Sequence, residues 1–254
     1  MRNTLFKVLR GGLSLMAICF ALTVQAQSFE DTKRAAEQGD AKAQYTLGRM
    51  YDKGLGISQN DAEAVKWYRK AAEQGETYAQ TNLGVMYAKG RGVTQDDVEA
   101  AKWYRKAAEQ GDDISQNNLG VRYEKGQGVA QDNAQAVFWY RKAAEQGNAD
   151  AQFNLGYMYN VGSGVTRDYD QAAFWYGKAA DQGNVKAQEN LAAMSQTDSS
   201  ASDNGADAQP TGGHRKPGDR PNQRPSRPQG TPMPKPQVTI TPAPAPKPTP
   251  ISSK

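Results

Sequence analysis

The sequence predicts an all-α solenoid of stacked antiparallel helix pairs, followed by a tail with no helix or strand pattern. Two observations lead there. Trp67, Trp103, Trp139 and Trp175 stand 36 residues apart, as do Tyr51, Tyr87, Tyr123 and Tyr159 and the glycines Gly48, Gly84, Gly120 and Gly156. All thirteen prolines, by contrast, lie between Pro210 and Pro250. A fixed step of this length marks one supersecondary unit repeated along the chain. Four full units run from Gly39 to Gln182, with a partial unit at Ala35–Gln38 and another from Ala187 to Leu191. One helix pair cannot bury its own apolar face, so neighbours must stack.

Each unit divides into two helices. In the first unit Ala43, Leu47, Gly48 and Tyr51 fall at i, i+4, i+5 and i+8, one apolar face of a helix. Gly48 in mid-helix costs roughly 1 kcal/mol against alanine. Its return in every full unit implies a place where two helices approach too closely for a side chain. The second helix carries Ala64, Trp67, Tyr68, Ala71 and Ala72, again at spacings of three and four. Asn60, Asp96, Asp132 and Asp168 stand three residues before Glu63, Glu99, Gln135 and Gln171, the pattern of a capping box at the second helix. Gly75, Gly111, Gly147 and Gly183 mark its end, where a left-handed residue is needed. Glycine pairs such as Gly54/Gly56 and Gly90/Gly92 supply the bend between the helices.

Three regions follow: 1–26 a signal peptide, 27–194 the solenoid, and 195–254 a Ser/Asp-rich and then Pro/basic-rich tail. Lys7 and Arg10 precede an uncharged run from Leu13 to Val24, and Val24-Gln25-Ala26 offers the small residues a signal peptidase reads. The run is shorter than the ~20 residues that span a bilayer. Cleavage after Ala26 removes Cys19, the only cysteine, so the mature chain holds no disulfide. Periplasmic or secreted localisation is the expectation, with no integral membrane span in the mature chain. The tail reads as disordered and extended, since it is poor in apolar residues outside its prolines.

Charge divides the same way. Residues 1–26 carry three cations and no acid, and 210–254 carry eight cations against Asp219 alone. The net +4 of the whole therefore leaves 27–209 at −6. A pI near 9.0 would suggest nucleic acid. The folded block is acidic, so nucleic acid is rejected as the main partner. The basic tail is suited to anionic envelope components.

The motifs Ala-Gln-x-Asn-Leu-Gly-x-Met-Tyr (Ala79–Tyr87), Gly-x-Gly-Val-x-Gln-Asp (Gly90–Asp96) and Trp-Tyr-Arg-Lys-Ala-Ala-Glu-Gln-Gly (Trp103–Gly111) resemble Sel-one-like repeats, relatives of tetratricopeptide repeats. The resemblance covers roughly residues 29–194. It implies a scaffold or adaptor that binds a partner protein or peptide, among whose secreted bacterial relatives are envelope regulators. A toxin inhibitor of the immunity type is an alternative. A penicillin-interacting hydrolase is another, since one cysteine-rich branch is linked to β-lactamase activity; this chain lacks the repeat cysteines of that branch.

Nothing in the residues assembles catalysis, a cofactor site or a metal site. His214, the one histidine, lies in the tail, and no Ser-x-x-Lys motif is present. The Trp-Tyr pairs return identically in every unit and read as core packing. Asn82, Asn118, Asn154 and Asn190 form a further ladder, read as structural hydrogen bonding ahead of a peptide clamp.

The expected binding surface is the face of the first helices opposite Leu47. It comprises Lys42, Tyr45 and Arg49; Tyr78, Thr81 and Val85; Ile114, Asn117 and Val121; and Asp150, Phe153 and Tyr157. These positions change from unit to unit, and several are apolar, which marks an interaction groove on a monomer.

Overall fold

The computed structural model describes residues 28–203, with side chains through Ser195. The signal segment, Cys19, His214 and the proline-rich tail lie outside the described residues. Within them, ten helices follow one another. Helix α1 covers residues 28–37. It is followed by α2 (Ala41–Lys53), α3 (Asp61–Glu73), α4 (Thr77–Lys89), α5 (Asp97–Glu109), α6 (Asp113–Lys125), α7 (Asn133–Glu145), α8 (Ala149–Val161), α9 (Tyr169–Asp181) and α10 (Val185–Asp203). From α2 to α10 every helix packs on its neighbours in sequence, the topology of a solenoid. Even-numbered helices are the first of each pair and odd-numbered ones the second. Of the fifth unit, the described residues contain a first helix. That helix runs to Asp203, nine residues past Met194, where the sequence pattern stops. No glycine or proline interrupts it before Gly205.

The mid-helix glycines do what their spacing implies. A Cβ on Gly84 would stand 2.7 Å from the Tyr104 ring, and the same holds for Gly48 against Tyr68 and Gly120 against Tyr140. Those tyrosines are among the largest fully buried side chains. Each pair of helices thus closes ring-on-backbone. In the fifth unit, where the described residues include no second helix, the matching position is Ala192 and it is exposed.

The caps are half of what the sequence predicts. Asn60 and Asp132 accept from the backbone N–H three residues on, at 3.1 and 3.0 Å. The reciprocal half is missing. The backbone N–H groups of Asn60, Asp96, Asp132 and Asp168 instead donate to the carbonyls of Tyr51, Tyr87, Tyr123 and Tyr159 at 2.9–3.1 Å. Glu63 and Glu99 turn outward to Lys66 and Lys102. Gly75, Gly111, Gly147 and Gly183 are left-handed, with φ between 85° and 97°.

Successive units are joined by a glutamine clasp. Gln80 Nε2 donates to the Ala72 carbonyl of the preceding unit at 3.1 Å, while its Oε1 accepts from Gln110 Nε2 at 2.7 Å. Gln44, Gln116 and Gln152 repeat both bonds. Buried polar groups are thereby satisfied and three helices are tied at each junction. The second glycine of the bend in the second, third and fourth units is also a junction residue. A Cβ on Gly128 would lie 1.9 Å from the Asp97 carbonyl oxygen of the unit before, and one on Gly92 2.2 Å from that of Asp61.

One junction carries a charge in the core. Arg122 stands where the other full units have Met50, Met86 and Met158. It is buried, and its Nη1 donates to Asp97 at 2.7 Å. Burying a cation costs several kcal/mol, and an apolar replacement is often neutral or better. Arg122→Met should raise stability by about 1–3 kcal/mol, since Asp97 is a third exposed and water can solvate it. A lower melting temperature in a thermal scan would show that the ion pair is net stabilising.

Candidate functional site

The structure divides the predicted groove residues into two sets. Tyr45, Thr81, Val85, Asn117, Val121, Phe153 and Tyr157 are all buried, at 8% exposure or less. The expectation that this face stays off the core is therefore corrected. The reason is that consecutive first helices pack side by side and seal it. The Tyr45 ring lies 6.0 Å from those of both Tyr68 and Tyr78. Thr81 meets the Ser115 hydroxyl at 2.8 Å and the Asp112 carboxylate at 3.1 Å. Asn117 accepts from Asn154 at 3.0 Å, and Phe153 packs 5.7 Å from Tyr176. A glutamate at Val85, Val121 or Tyr157 would be a buried charge, and the fold would fail before binding could be read.

The second set remains reachable. Lys42, Tyr78, Ile114 and Asp150 occupy one equivalent position per unit, in the first turn of α2, α4, α6 and α8. Lys42 and Tyr78 are exposed, and Ile114 and Asp150 are half-buried. Arg49 joins them, half-buried with its guanidinium 5.9 Å from the Tyr45 ring. Along one edge of the stack this gives cations at the N-terminal end, two apolar side chains in the middle and a carboxylate at the far end.

Acidic groups beside this edge are electrostatically strained. Burial pushes the carboxyls of Glu76 and Asp112 above the usual range, against the backbone N–H bonds each accepts as a helix cap; the charge of Asp112 pushes Glu76, and that of Asp113 pushes Asp112, in the same direction. Burial also raises Asp150, against the nearby Lys186. Asp61 shows the opposite balance. Burial works against ionisation there, but hydrogen bonds from Arg91 and Gln59 and the charge of Arg91 bring its carboxyl below the usual value. Arg91 bridges Asp61 and Asp52 at 2.7 and 2.6 Å, which makes it a structural clamp between units.

The remaining sequence candidates resolve as packing. Trp103, Trp139 and Trp175 are buried and Trp67 half-buried. Lys70 and Lys106 lie 4.2 and 4.3 Å from the centroids of Trp67 and Trp103. Asn82, Asn118, Asn154 and Asn190 are at most 4% exposed, so no peptide reaches them. An open cleft of about 390 Å³ lies on the outer surface between α5 and the bend at Gly128–Val129. Its cations are already engaged, Lys102 with Glu99 at 2.9 Å and Arg105 with the Tyr123 hydroxyl at 2.6 Å. No group of three or more His, Cys, Asp or Glu side chains that could hold a metal occurs among the described residues. None of the described helices is long and apolar enough to cross a membrane.

Comparison with known proteins agrees with this geometry. The Sel1 repeat pattern matches residues 41–76, 77–112, 113–148 and 149–184. A solved SLR-fold protective antigen present in uropathogenic Escherichia coli strains is 48% identical, with a TM-score of 0.63, over 64% of this chain and 35% of that one. A Sel1 repeat protein from Oxalobacter formigenes is 43% identical, with a TM-score of 0.61, over 65% of this chain and 66% of its own. A sel1-like repeat-containing protein of Acanthamoeba polyphaga mimivirus shares 47% identity over 38 residues, which is 15% of this chain and 6% of the viral one. This chain thus spans only a small part of that relative and about a third of the antigen. With its four matched units each forming a clasped helix pair, the chain belongs to the Sel1 repeat family.

Proposed function

We propose that the protein is an extracytoplasmic scaffold that grips a segment of a partner protein along the edge formed by Lys42, Arg49, Tyr78, Ile114 and Asp150. Sel1 repeats mediate protein–protein interaction, and the family is typically non-enzymatic. One observation carries the assignment of the edge. The sealed clasp and glycine positions keep the same residue in every full unit, whereas the second residue of each first helix is reachable and reads Lys, Tyr, Ile, Asp. Uniform positions build the stack; a position that is reachable and different in each unit can encode a particular partner.

The edge also constrains that partner. Its segment presents an acid towards Lys42 and Arg49, an apolar side chain between Tyr78 and Ile114, and a cation towards Asp150, whose half-buried carboxyl has Lys186 nearby. The extracytoplasmic part rests on the leader, with Lys7 and Arg10 before an uncharged run that ends at Val24-Gln25-Ala26.

The partner is found by pulldown from envelope extract and mass spectrometry, and then titrated calorimetrically. Tyr78→Ser combined with Ile114→Ser should weaken binding at least about tenfold, as expected when apolar anchors at the centre of an interface are lost. Thermal stability should change little, because Tyr78 is exposed and Ile114 only half-buried. Unchanged affinity in that variant would move the site elsewhere.

A further inference from the structure

The fourth unit departs from the others on one face. Along the second helices, Ala62, Val98 and Ala134 give way to Asp170. Lys66 and Lys102 give way to Phe138 and then Phe174, and Arg69, Arg105 and Arg141 give way to Gly177. Compared with α3, the outer face of α9 has lost two cations and gained an aromatic ring, and a single carboxylate at Asp170 stands near its start in place of those at Asp61 and Glu63. Phe174 is 51% exposed, edge-on to Trp175 at 5.0 Å. Asp170 lies one turn before it and Asp181 two turns after, both exposed. Nothing stands within 4 Å of where a Cβ on Gly177 would be, and on the ring itself Lys178 Nζ lies 5.1 Å from the centroid. The fold does not need Phe174, because lysine fills the same place in α3 and α5. An apolar side chain placed outside on such a framework marks a contact.

The chemistry that fits this face is in the same chain. Beyond Asp203 there is no Phe, Tyr or Trp, but there are thirteen prolines with Lys or Arg between them. Proline-rich segments dock on aromatic surfaces as preformed extended helices. Interspersed cations can then pair with carboxylates at the rim, here Asp170 and Asp181. Position favours the encounter as well. The segment leaves the end of α10, which packs on α9. The seven residues from Asn204 to Pro210 can extend over roughly 20 Å at ~3.1 Å per residue. Tethering raises the effective concentration into the millimolar range.

We infer that the stretch from Arg215 to Pro236 docks in cis on the outer face of α9, with prolines against Phe174 and cations at Asp170 and Asp181. The tail then lies on the opposite side of the helix pairs from the first-helix edge and leaves that edge accessible. This inference is independent of the proposed partner.

The four tryptophans, one per unit, report the docking position. A nitroxide is attached at Gln229→Cys in the full chain carrying Cys19→Ser, and the indole N–H signals are recorded by NMR. The Trp175 signal should be lost and that of Trp139 weakened, with Trp67 and Trp103 retained. In the variant Asp170→Ala, Phe174→Lys, Gly177→Arg, which places on α9 the residues that α3 carries at these three positions, all four signals should return with the melting temperature unchanged. Phe174→Lys alone gives the same reading should the triple variant fold poorly. Equal intensities in the labelled parent, or a Trp175 loss that survives the substitutions, would overturn the inference. So would a loss that appears in unlabelled chains mixed with labelled ones, since a second copy would then supply the segment.

Discussion

Gly128→Ala should cost roughly 2–5 kcal/mol, the sum of forcing a left-handed backbone on a residue with a Cβ and of overpacking against a neighbour. Gly128 has φ +72°, and its Cβ would stand 1.9 Å from a backbone oxygen of the preceding unit. Neither atom sits at the end of a flexible side chain, so relief requires the junction to open. Gly111 provides the control. Its φ is +97°, but nothing lies within 4 Å of its would-be Cβ. Gly111→Ala should therefore show only the backbone cost, about 1–2 kcal/mol. Chemical denaturation of both variants measures the difference. Equal losses would mean that the contact between units contributes nothing and the bend alone demands glycine.

Trp103→Ala should lose about 3–5 kcal/mol, the usual cost of truncating a buried aromatic. Trp103 is 6% exposed and belongs to the cluster that also holds Tyr104, Leu119 and Trp139. The substitution opens a void at the middle of the stack, where units on both sides depend on it. In a solenoid each unit is stabilised mainly by its neighbours, so loss at an internal junction weakens two interfaces. A melting temperature within a degree of the parent would mean that the ring contributes nothing to the packing of the stack.

The fold was legible because its determinants are periodic. Glycine against tyrosine, the caps of the second helices and the left-handed helix ends all recur at one step, and each has a local chemical reason. The binding surface was read less well. A helical wheel assigns one buried face per helix, but α4, α6 and α8 are flanked by first helices of neighbouring units as well as by second helices. The signal for burial on all sides was available: Ala79–Ala88 and Ala151–Val161 contain no charged residue. Helix α2, next to the N-terminal end, keeps Lys42, Arg49 and Asp52. The clasp was also visible, as glutamines at Gln44, Gln80, Gln116 and Gln152 with partners thirty residues on. Reading for apolar faces passes over it. The pairing of Arg122 with Asp97, 25 residues away, follows from no periodicity and required coordinates.

The glutamine clasp bears on how the length of such a protein can change. Every junction uses the same donor, acceptor and spacing, so a genetic crossover between two copies of the unit rejoins equivalent partners. Excision or duplication of 36 codons in frame restores each bond, whereas any other length leaves a buried amide with no counterpart. The interior therefore sets no preferred number of units. Only the ends do, where Thr32 replaces the ring that a glycine would receive and Ala192 replaces the glycine that a ring would require. Copy number is open to natural variation, while the spacing within each copy is fixed by hydrogen bonds.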